Sequence, residues 1–145
     1  HPAVAFAGAI GQPDAHSGEL PCAFVELVSG AEVTEDELMT HARRHIHERA
    51  AYPKHLTILP ELPKTAVGKV FKPALRMQAI TRVYNGALEA EDLAARVVSV
   101  VDDRKRGLVA KVERNGADAE AVGHCLGSFV RPWDWAETVP ETAAE

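Results

Sequence analysis

Apolar runs and the turn residues between them predict two strands at the start of the chain. Residues 3–10 are almost continuously apolar and are followed by GQPD, which predicts a short buried strand that ends in a turn. Residues 20–28 predict a second strand, and its sparse polar content indicates cover on both faces. The connection over residues 13–19 is long enough to predict a flap instead of a tight hairpin.

Helix signals follow the second strand. The spacing of Thr34 and Glu37 is that of a capping box and predicts a helix that continues to about Arg49. Residues 55–59 predict a third strand, and residues 73–84 predict a second helix that ends at an Asn-Gly pair. This order predicts an α+β domain with a small three-stranded sheet and flanking helices.

The remainder of the chain has its own elements. Residues 97–101 and 108–113 predict a β-hairpin with a charged turn, and residues 119–126 predict a helix. The tail from Pro140 is small and polar enough to fray. We therefore expect a domain over residues 1–88 and an appended hairpin-helix segment over residues 89–145 with a frayed tail.

Composition narrows the class of protein. The 145 residues are 46% hydrophobic and 26% charged, which is typical of a globular chain and excludes fibrous and wholly disordered proteins. No apolar run approaches the roughly 20 residues of a membrane span. Cys22 and Cys125 are too few for a disulfide scaffold and predict free thiols in a cytoplasmic protein. No methionine precedes His1, so we expect the chain to be a piece of a longer polypeptide.

Charge is unevenly distributed along the chain. The formal net charge of −5 argues against a nucleic-acid-binding protein. Residues 1–88 hold nine acidic and nine basic residues, whereas residues 89–145 hold twelve and seven. All nine bases of the first part lie between residues 43 and 82, with only two acids among them. That segment would attract a small anion, although a solvated helix face beside a basic loop has the same composition.

The segment LPKTAVGKVFK, residues 62–72, carries the strongest candidate chemistry. It is not a phosphate-binding P-loop, because Pro63 stands where the first glycine is required and Val70 where Ser or Thr is required. Gly68 can adopt a positive φ and so project Lys69 from the domain. A projecting ammonium can stabilise negative charge on a carboxylate or phosphate under attack. The alternative from the residues alone is an exposed lysine in a turn.

Four motifs occur in the order and spacing found in one family. They are HPAV at the start, GQPD followed by GE, SGAEVT before the first helix, and LPKTAVGK after the third strand. With these motifs, residues 1 to about 88 resemble the C-terminal domain of AMP-forming acyl-CoA synthetases, within the adenylate-forming enzymes. One departure is His16-Ser17, where the family commonly has an aromatic residue before Gly-Glu.

The resemblance implies a fold, a reaction and partners. A large N-terminal adenylation domain of the same polypeptide would bind ATP and the acid, and this domain would move over it as a lid. Lys69 would be the catalytic lysine that bridges the substrate carboxylate and the α-phosphate. With ATP, magnesium and CoA, the full enzyme would convert a fatty or other carboxylic acid to acyl-CoA, AMP and pyrophosphate. The isolated fragment would be inactive and would need no cofactor.

Further ligand contacts are implied by the same resemblance. Gly68 would shape the turn, while Lys64 and Lys72 would hold the loop or meet phosphates. CoA contacts are implied around the first helix and before the third strand, at Arg43, Arg44, Tyr52 and Lys54. Although His41 and His45 lie one helical turn apart, no third ligand is suitably spaced, so no metal site is predicted.

Three alternatives stay open from the sequence. An adenylation domain could pass its acyl group to a carrier protein, but such domains commonly have an acidic residue where this chain has Phe71. The chain could instead be a stand-alone anion-binding or interaction module. The appended hairpin could also pair two chains into a homodimer, because an unpaired strand edge recruits partners.

Overall fold

The computed structural model describes residues 1–137 and divides the chain into two compact units, His1–Ile80 and Thr81–Glu145. The division falls inside the longest helix, which also contains residue 88, the predicted end of the first domain. The predicted fraying from Pro140 lies outside the described residues. Among residues 1–137, no helix combines the length and hydrophobicity needed to cross a membrane.

A mixed three-stranded sheet forms the first unit. Strands β1 (Val4–Asp14) and β2 (Gly18–Leu27) are antiparallel, and β3 (Leu56–Leu59) runs parallel to β2. The crossover between β2 and β3 contains helix α1 (Glu35–His45) and a 3-10 turn (Arg49–Ala51). Helix α2 follows at Lys72–Ala90. The predicted α+β fold is confirmed.

Both faces of this sheet are covered, as the composition of β2 predicted. Cys22 and Phe24 face one cluster, which the first half of α2 completes with Leu75 and Ala79. The intervening Val25 faces the other cluster, where it meets Leu38 of α1 and Leu56 of β3. Strand β2 is therefore the centre of the unit, with a helix on either side.

Strand β1 differs from its prediction as a short buried strand. It is an eleven-residue edge strand, and Ala5, Phe6 and Ala7 are exposed, whereas Gly8 and Ile10 are buried. The strand also continues through the predicted break to Asp14. An edge position explains the difference, because an edge strand has one neighbour and leaves part of an apolar run in solvent.

The predicted flap between β1 and β2 is a tight hairpin turn, so that prediction was wrong. Asp14 pairs directly with Gly18, whose φ is +81°. The Asp14 carboxylate accepts the backbone N–H groups of Ser17 at 2.7 Å and His16 at 3.2 Å. These hydrogen bonds, that from Ser17 foremost, lower the pKa of Asp14. A local aspartate turn of this kind replaces the free loop.

The capping box of α1 is confirmed. The Thr34 hydroxyl accepts the Glu37 N–H at 3.1 Å, and the Glu37 carboxylate accepts the Thr34 N–H at 2.8 Å. The helix ends at His45, earlier than the predicted Arg49, because Ile46 is extended with φ −88° and ψ 119°. The chain must turn back there to bring Leu56 beside β2.

Helix α2 passes through the Asn-Gly pair that was predicted to end it after Tyr84. Tyr84 and Leu88 are both fully buried, so packing favours the helix across the glycine. The Asn85 side chain accepts the Val97 N–H at 2.7 Å and is thereby satisfied within the helix. The helix ends instead at Ala90, and Asp92, two residues later, has a φ of +54°.

The second unit contains the predicted hairpin and helix and one further strand. Strands β4 (Arg96–Asp103) and β5 (Gly107–Glu113) are antiparallel, and α3 (Ala119–Gly127) is capped by the Asp118 carboxylate. Strand β6 (Trp133–Trp135) pairs parallel to β5 and was not predicted. Its three residues are too short to give a periodic pattern.

Substituting Gly8 should test the packing of the first unit. A Cβ atom there would lie 2.6 Å from Leu75 Cδ1 and 3.0 Å from Val70 Cγ1. Gly8→Val should therefore lower the free energy of unfolding by about 1–3 kcal/mol through overpacking, measured by urea denaturation. Ala5→Val, at an exposed position of the same strand, is the control; equal effects of both variants would contradict this account.

Acid unfolding should depend on Asp134. Hydrogen bonds from Arg106 at 2.7 and 2.9 Å and from Lys111 at 3.0 Å hold the pKa of Asp134 well below its usual value. The ionised Asp134 therefore adds to the free energy of unfolding at pH values above its unfolded pKa of about 3.9. That stabilisation is lost as the pH falls towards the folded pKa. Asp134→Asn should thus flatten the loss of thermal stability between about pH 5 and pH 2.

The control for this acid titration is Glu113→Gln. Glu113 pairs with Arg96 at 3.7 Å, and both side chains are more than half exposed. This variant should retain the wild-type acid dependence, since exposed ion pairs contribute little. Thermal melts across the pH series provide the comparison, and an unchanged slope in Asp134→Asn would refute the assignment.

Candidate functional site

Residues 63–71, termed here the lysine hairpin, connect β3 to α2. The Phe71 N–H donates to the Pro63 carbonyl at 2.7 Å, and the Thr65 N–H donates to the Lys69 carbonyl at 2.7 Å. Between these bonds, Lys64 and Val70 form an antiparallel bridge. The segment was predicted only as a loop, and the structure shows a hydrogen-bonded hairpin at this place.

Gly68 closes the turn of the lysine hairpin. Its φ is +84°, in the left-handed region that its sequence context predicted, and its N–H donates to the Thr65 carbonyl at 2.9 Å. The Thr65 hydroxyl also accepts the Lys69 N–H at 3.2 Å. Residues 66–68, which lie between the paired Thr65 and Lys69, thus form a compact turn with glycine at its left-handed position.

Lys69 projects from this turn into solvent. Its side chain is exposed, and no carboxylate among residues 1–137 pairs with its ammonium group. The neighbouring Val67 is 81% exposed. The hairpin therefore fixes the backbone of Lys69 and leaves its charge available to a ligand from outside the unit.

Lys64, the other cation of the hairpin, lies against the sheet. Its Nζ donates to Glu26 Oε1 at 2.9 Å and lies 4.4 Å from the centre of the Phe6 ring. The same Glu26 oxygen accepts the Leu62 N–H at 2.8 Å. The hydrogen bond from Lys64, followed by the one from the Leu62 N–H, lowers the pKa of Glu26. A salt bridge with little solvent exposure thus ties the hairpin base to β2.

The inner side of the hairpin packs on the apolar core. Val70 contacts the cluster that contains Ile10, Leu62 and Leu75. Lys72, which directly follows the hairpin, is the exposed first residue of α2. The hairpin is therefore anchored by apolar packing at Val70 and by the ion pair at Lys64.

The residues predicted to contact CoA lie elsewhere on the first unit. Arg43 and Arg44 are exposed in the last turn of α1, and Tyr52 is half-buried after the 3-10 turn. Lys54 is exposed, and its N–H donates to the Pro21 carbonyl at 2.8 Å, before β3 begins. Because the lysine hairpin follows the other end of β3, the strand separates Lys54 from it by about 10–13 Å.

The predicted histidine pair forms a stack. The ring centres of His41 and His45 are 4.0 Å apart, beside an open cleft of about 450 Å³ that Arg44 also lines. Burial, followed by the charges of His45 and other neighbours, lowers the pKa of His41. Within residues 1–137, no group of three or more His, Cys, Asp or Glu side chains is arranged to hold a metal ion.

Neither cysteine has the surroundings of a reactive thiol. Cys22 and Cys125 are buried, and neither forms a disulfide bond. Burial raises the pKa of Cys125 and so keeps it protonated. Cys22 packs within the core cluster of the first unit, as a small apolar residue would.

Sequence reasoning missed Glu26 and Thr65. Glu26 is the only acid in the run LPCAFVELV, whose two faces were predicted to be covered. A carboxylate in such a strand needs a cationic or N–H partner, and this requirement was the available signal. Thr65 had no signal of its own, because its hydroxyl acts only once the turn has formed.

Comparison with known proteins gives a family match over the first unit. Residues 1–69 match the model of the AMP-binding enzyme C-terminal domain. Marinolic acid–CoA ligase of a Pseudoalteromonas species is 38% identical over 113 residues, 77% of this chain and 17% of that protein. Acetyl-coenzyme A synthetase of Pyrobaculum arsenaticum is 43% identical over 95 residues, 63% of this chain and 14% of that protein.

A solved structure is also similar. The crystal structure of Brucella canis acyl-CoA synthetase gives a TM-score of 0.47 at 39% identity, covering 52% of this chain and 14% of that one. The chain spans less than a fifth of the length of marinolic acid–CoA ligase and of the Pyrobaculum synthetase.

Replacing Gly68 should loosen the lysine hairpin. An alanine at φ +84° pays about 1 kcal/mol or more for the left-handed conformation, although no atom lies within 4 Å of the new Cβ. Gly68→Ala should accelerate hydrogen exchange of the Thr65 amide by roughly 5-fold or more, as seen by NMR. Gly30→Ala, at φ +79° in another open turn, is the control and should leave that amide unchanged. Equal exchange in both variants would show that Gly68 does not hold the turn.

Proposed function

Over residues 1–69 the chain belongs to the family of AMP-binding enzyme C-terminal domains, and we propose that it is the catalytic lid of an AMP-forming acyl-CoA synthetase. One observation carries the proposal: Lys69 is exposed on an ordered hairpin, with no acidic partner among the described residues. A lid lysine must enter a neighbouring domain's cleft without first giving up an ion pair of its own. The relatives named as CoA ligases and synthetases support this assignment.

Lys69 acts in the first half-reaction. A carboxylate oxygen of the acid attacks the α-phosphorus of ATP, the bond to the pyrophosphate oxygen breaks, and acyl-adenylate and pyrophosphate form. Negative charge is concentrated on the carboxylate and α-phosphate oxygens during this step. The Lys69 ammonium, placed between them, stabilises that charge and holds the two reactants together.

The second half-reaction uses a different surface of the same domain. The CoA thiolate attacks the acyl carbon, and AMP leaves with the bonding electrons. We assign contacts with the CoA nucleotide to Arg43, Arg44, Tyr52 and Lys54. Lys54 precedes β3 and the lysine hairpin follows its other end, and this placement supports a lid that presents one end to each half-reaction.

The full enzyme requires partners outside this chain. The N-terminal adenylation domain of the same polypeptide binds magnesium-ATP and selects a fatty or other carboxylic acid. We assign the lid to residues 1–88 and regard the fragment alone as inactive. Part of the appended segment 89–145 is matched in marinolic acid–CoA ligase as well, since a match of 113 residues is longer than residues 1–88.

Replacing Lys69 tests the proposal. In the full-length enzyme, Lys69→Ala should slow acyl-adenylate formation by about 100- to 1,000-fold, because one preorganised charge is lost. Pyrophosphate exchange measures that step. Thioester formation from supplied acyl-adenylate and CoA should stay near the wild-type rate.

The matched control is Lys105→Ala, which removes an exposed lysine from the turn between β4 and β5. It should leave both half-reactions unchanged. If Lys69→Ala impaired both half-reactions equally, Lys69 would have no specific part in adenylation, and the assignment as a catalytic lid lysine would fail.

A further inference from the structure

We infer that Glu26 is a positioning residue for Lys69: its carboxylate, through Lys64 and the Leu62 N–H, fixes the base of the lysine hairpin. The inference rests on the proposed function, because it concerns how the catalytic lysine of the lid is placed. Glu26 itself makes no contact with Lys69 and would touch no substrate. Its effect passes along the hairpin from the end that is anchored to the sheet.

Glu26 lies where a charged side chain is a poor choice if its only role is to stabilise the fold. It lies on the central strand β2, opposite Phe6 of β1 and Leu59 of β3. Its side chain is 14% exposed. An apolar residue between those neighbours would stabilise the sheet at least as well, since ion pairs with little exposure rarely exceed apolar packing. The presence of a carboxylate here is therefore explained by its bonds to Lys64 and to the Leu62 N–H.

One oxygen of Glu26 holds two points of the chain. Oε1 accepts the Lys64 ammonium at 2.9 Å and the Leu62 N–H at 2.8 Å. The Lys64 ammonium lies 3.5 Å from the Leu62 carbonyl as well. Residues 62–64, where the chain leaves the end of β3 and enters the hairpin, are thus fixed to β2 by side chain and backbone together.

The bridge between Lys64 and Val70 transmits this anchor. Val70 is opposite Lys64 in the hairpin and directly follows Lys69. With Lys64 held, the Lys69 backbone has a defined distance from β2, and only the turn of residues 66–68 lies beyond it. Displacements of about 1 Å at a reacting group can cost about 100-fold in rate, so this anchor has a kinetic consequence.

Glu26 also neutralises one of the two lysines of the hairpin and leaves the other charge available. Lys64 is 20% exposed and occupied by Glu26, whereas Lys69 is exposed and has no acidic partner within residues 1–137. Without Glu26, a second ammonium would be free to compete with Lys69 for the same anionic oxygens. The ion pair thus gives the hairpin one available charge at one defined position.

The hairpin should keep its fold when this ion pair is removed. The Phe71–Pro63 and Thr65–Lys69 backbone bonds remain, and Val70 stays packed on the core. Loss of the Glu26 charge should therefore alter where Lys69 lies more than whether the unit folds. This difference separates positioning from simple stabilisation.

Glu26→Gln in the full-length enzyme is the primary test. It keeps the size of the side chain and an oxygen for the Leu62 N–H but removes the charge that holds Lys64. Acyl-adenylate formation, measured by pyrophosphate exchange, should fall by about 10-fold, and thioester formation from supplied acyl-adenylate should not change. Lys64→Met should reproduce the loss, and the double variant should be no slower than either single one.

Two further variants serve as rescue and control. The exchanged pair Glu26→Lys with Lys64→Glu should recover part of the lost adenylation rate. Glu35→Gln removes a carboxylate that accepts the Ile58 N–H at 3.0 Å on the same sheet but has no bond to the hairpin. It should leave adenylation at the wild-type rate, and its thermal midpoint shows what loss of one such carboxylate charge does to stability while the N–H keeps an oxygen acceptor.

The outcomes separate this inference from the function on which it rests. A selective loss of adenylation in Glu26→Gln and Lys64→Met supports positioning. If Glu26→Gln matches Glu35→Gln, or slows both half-reactions in proportion to a lower thermal midpoint, the inference is overturned while a selective defect in Lys69→Ala leaves the lid assignment intact. If Lys69→Ala has no selective defect, the lid assignment itself fails.

Discussion

The constraint behind the proposed function is that a lysine acting in another domain's cleft should not be held by a counter-charge of its own. Its position has to come from the backbone and from neighbouring groups, and the lysine hairpin meets this constraint with main-chain hydrogen bonds on both sides of Lys69. The countercharge is instead given to Lys64, five residues away, through Glu26. Within one short segment, Lys69 is thus positioned by its backbone, while Lys64 is the lysine whose charge is neutralised.

The sheet supplies the rigidity that such a hairpin needs. Strand β2 is buried between two helices, and β3, which leads into the hairpin, is paired along its length with β2. Gly8 allows Leu75 of α2 and Val70 of the hairpin to approach β1 closely. Core packing therefore extends to within one residue of Lys69, and interiors of this density resist displacement.

Local chemistry was the part of the structure that the sequence predicted well. The capping box at Thr34, the left-handed glycine at position 68 and the Asp118 cap depend on residues three or four apart, so their patterns are visible in one dimension. The order of strands and helices was also predictable, because each has its own hydrophobic period. The placement of Lys69 on a projecting turn followed from Gly68.

Features set by partners distant in sequence were not predictable. Helix α2 continues past Gly86 because Tyr84 and Leu88 are buried, and the Asn85 side chain accepts an N–H from β4. Strand β6 exists only by pairing with β5. Glu26 and Lys64 are 38 residues apart, and neither residue alone identifies the other as its partner. In each case a tertiary contact outweighs the local propensity.

The tip of the lysine hairpin, residues 66–68, is exposed to solvent and has few contacts with the rest of the first unit. Val67 is 81% exposed, and space around Gly68 is open to at least 4 Å. Side chains at residues 66 and 67 can therefore change in size or polarity at little cost to stability. Such freedom beside a lysine whose backbone is fixed would let evolution adapt the rim of this hairpin to a new neighbouring surface without rebuilding the scaffold beneath it.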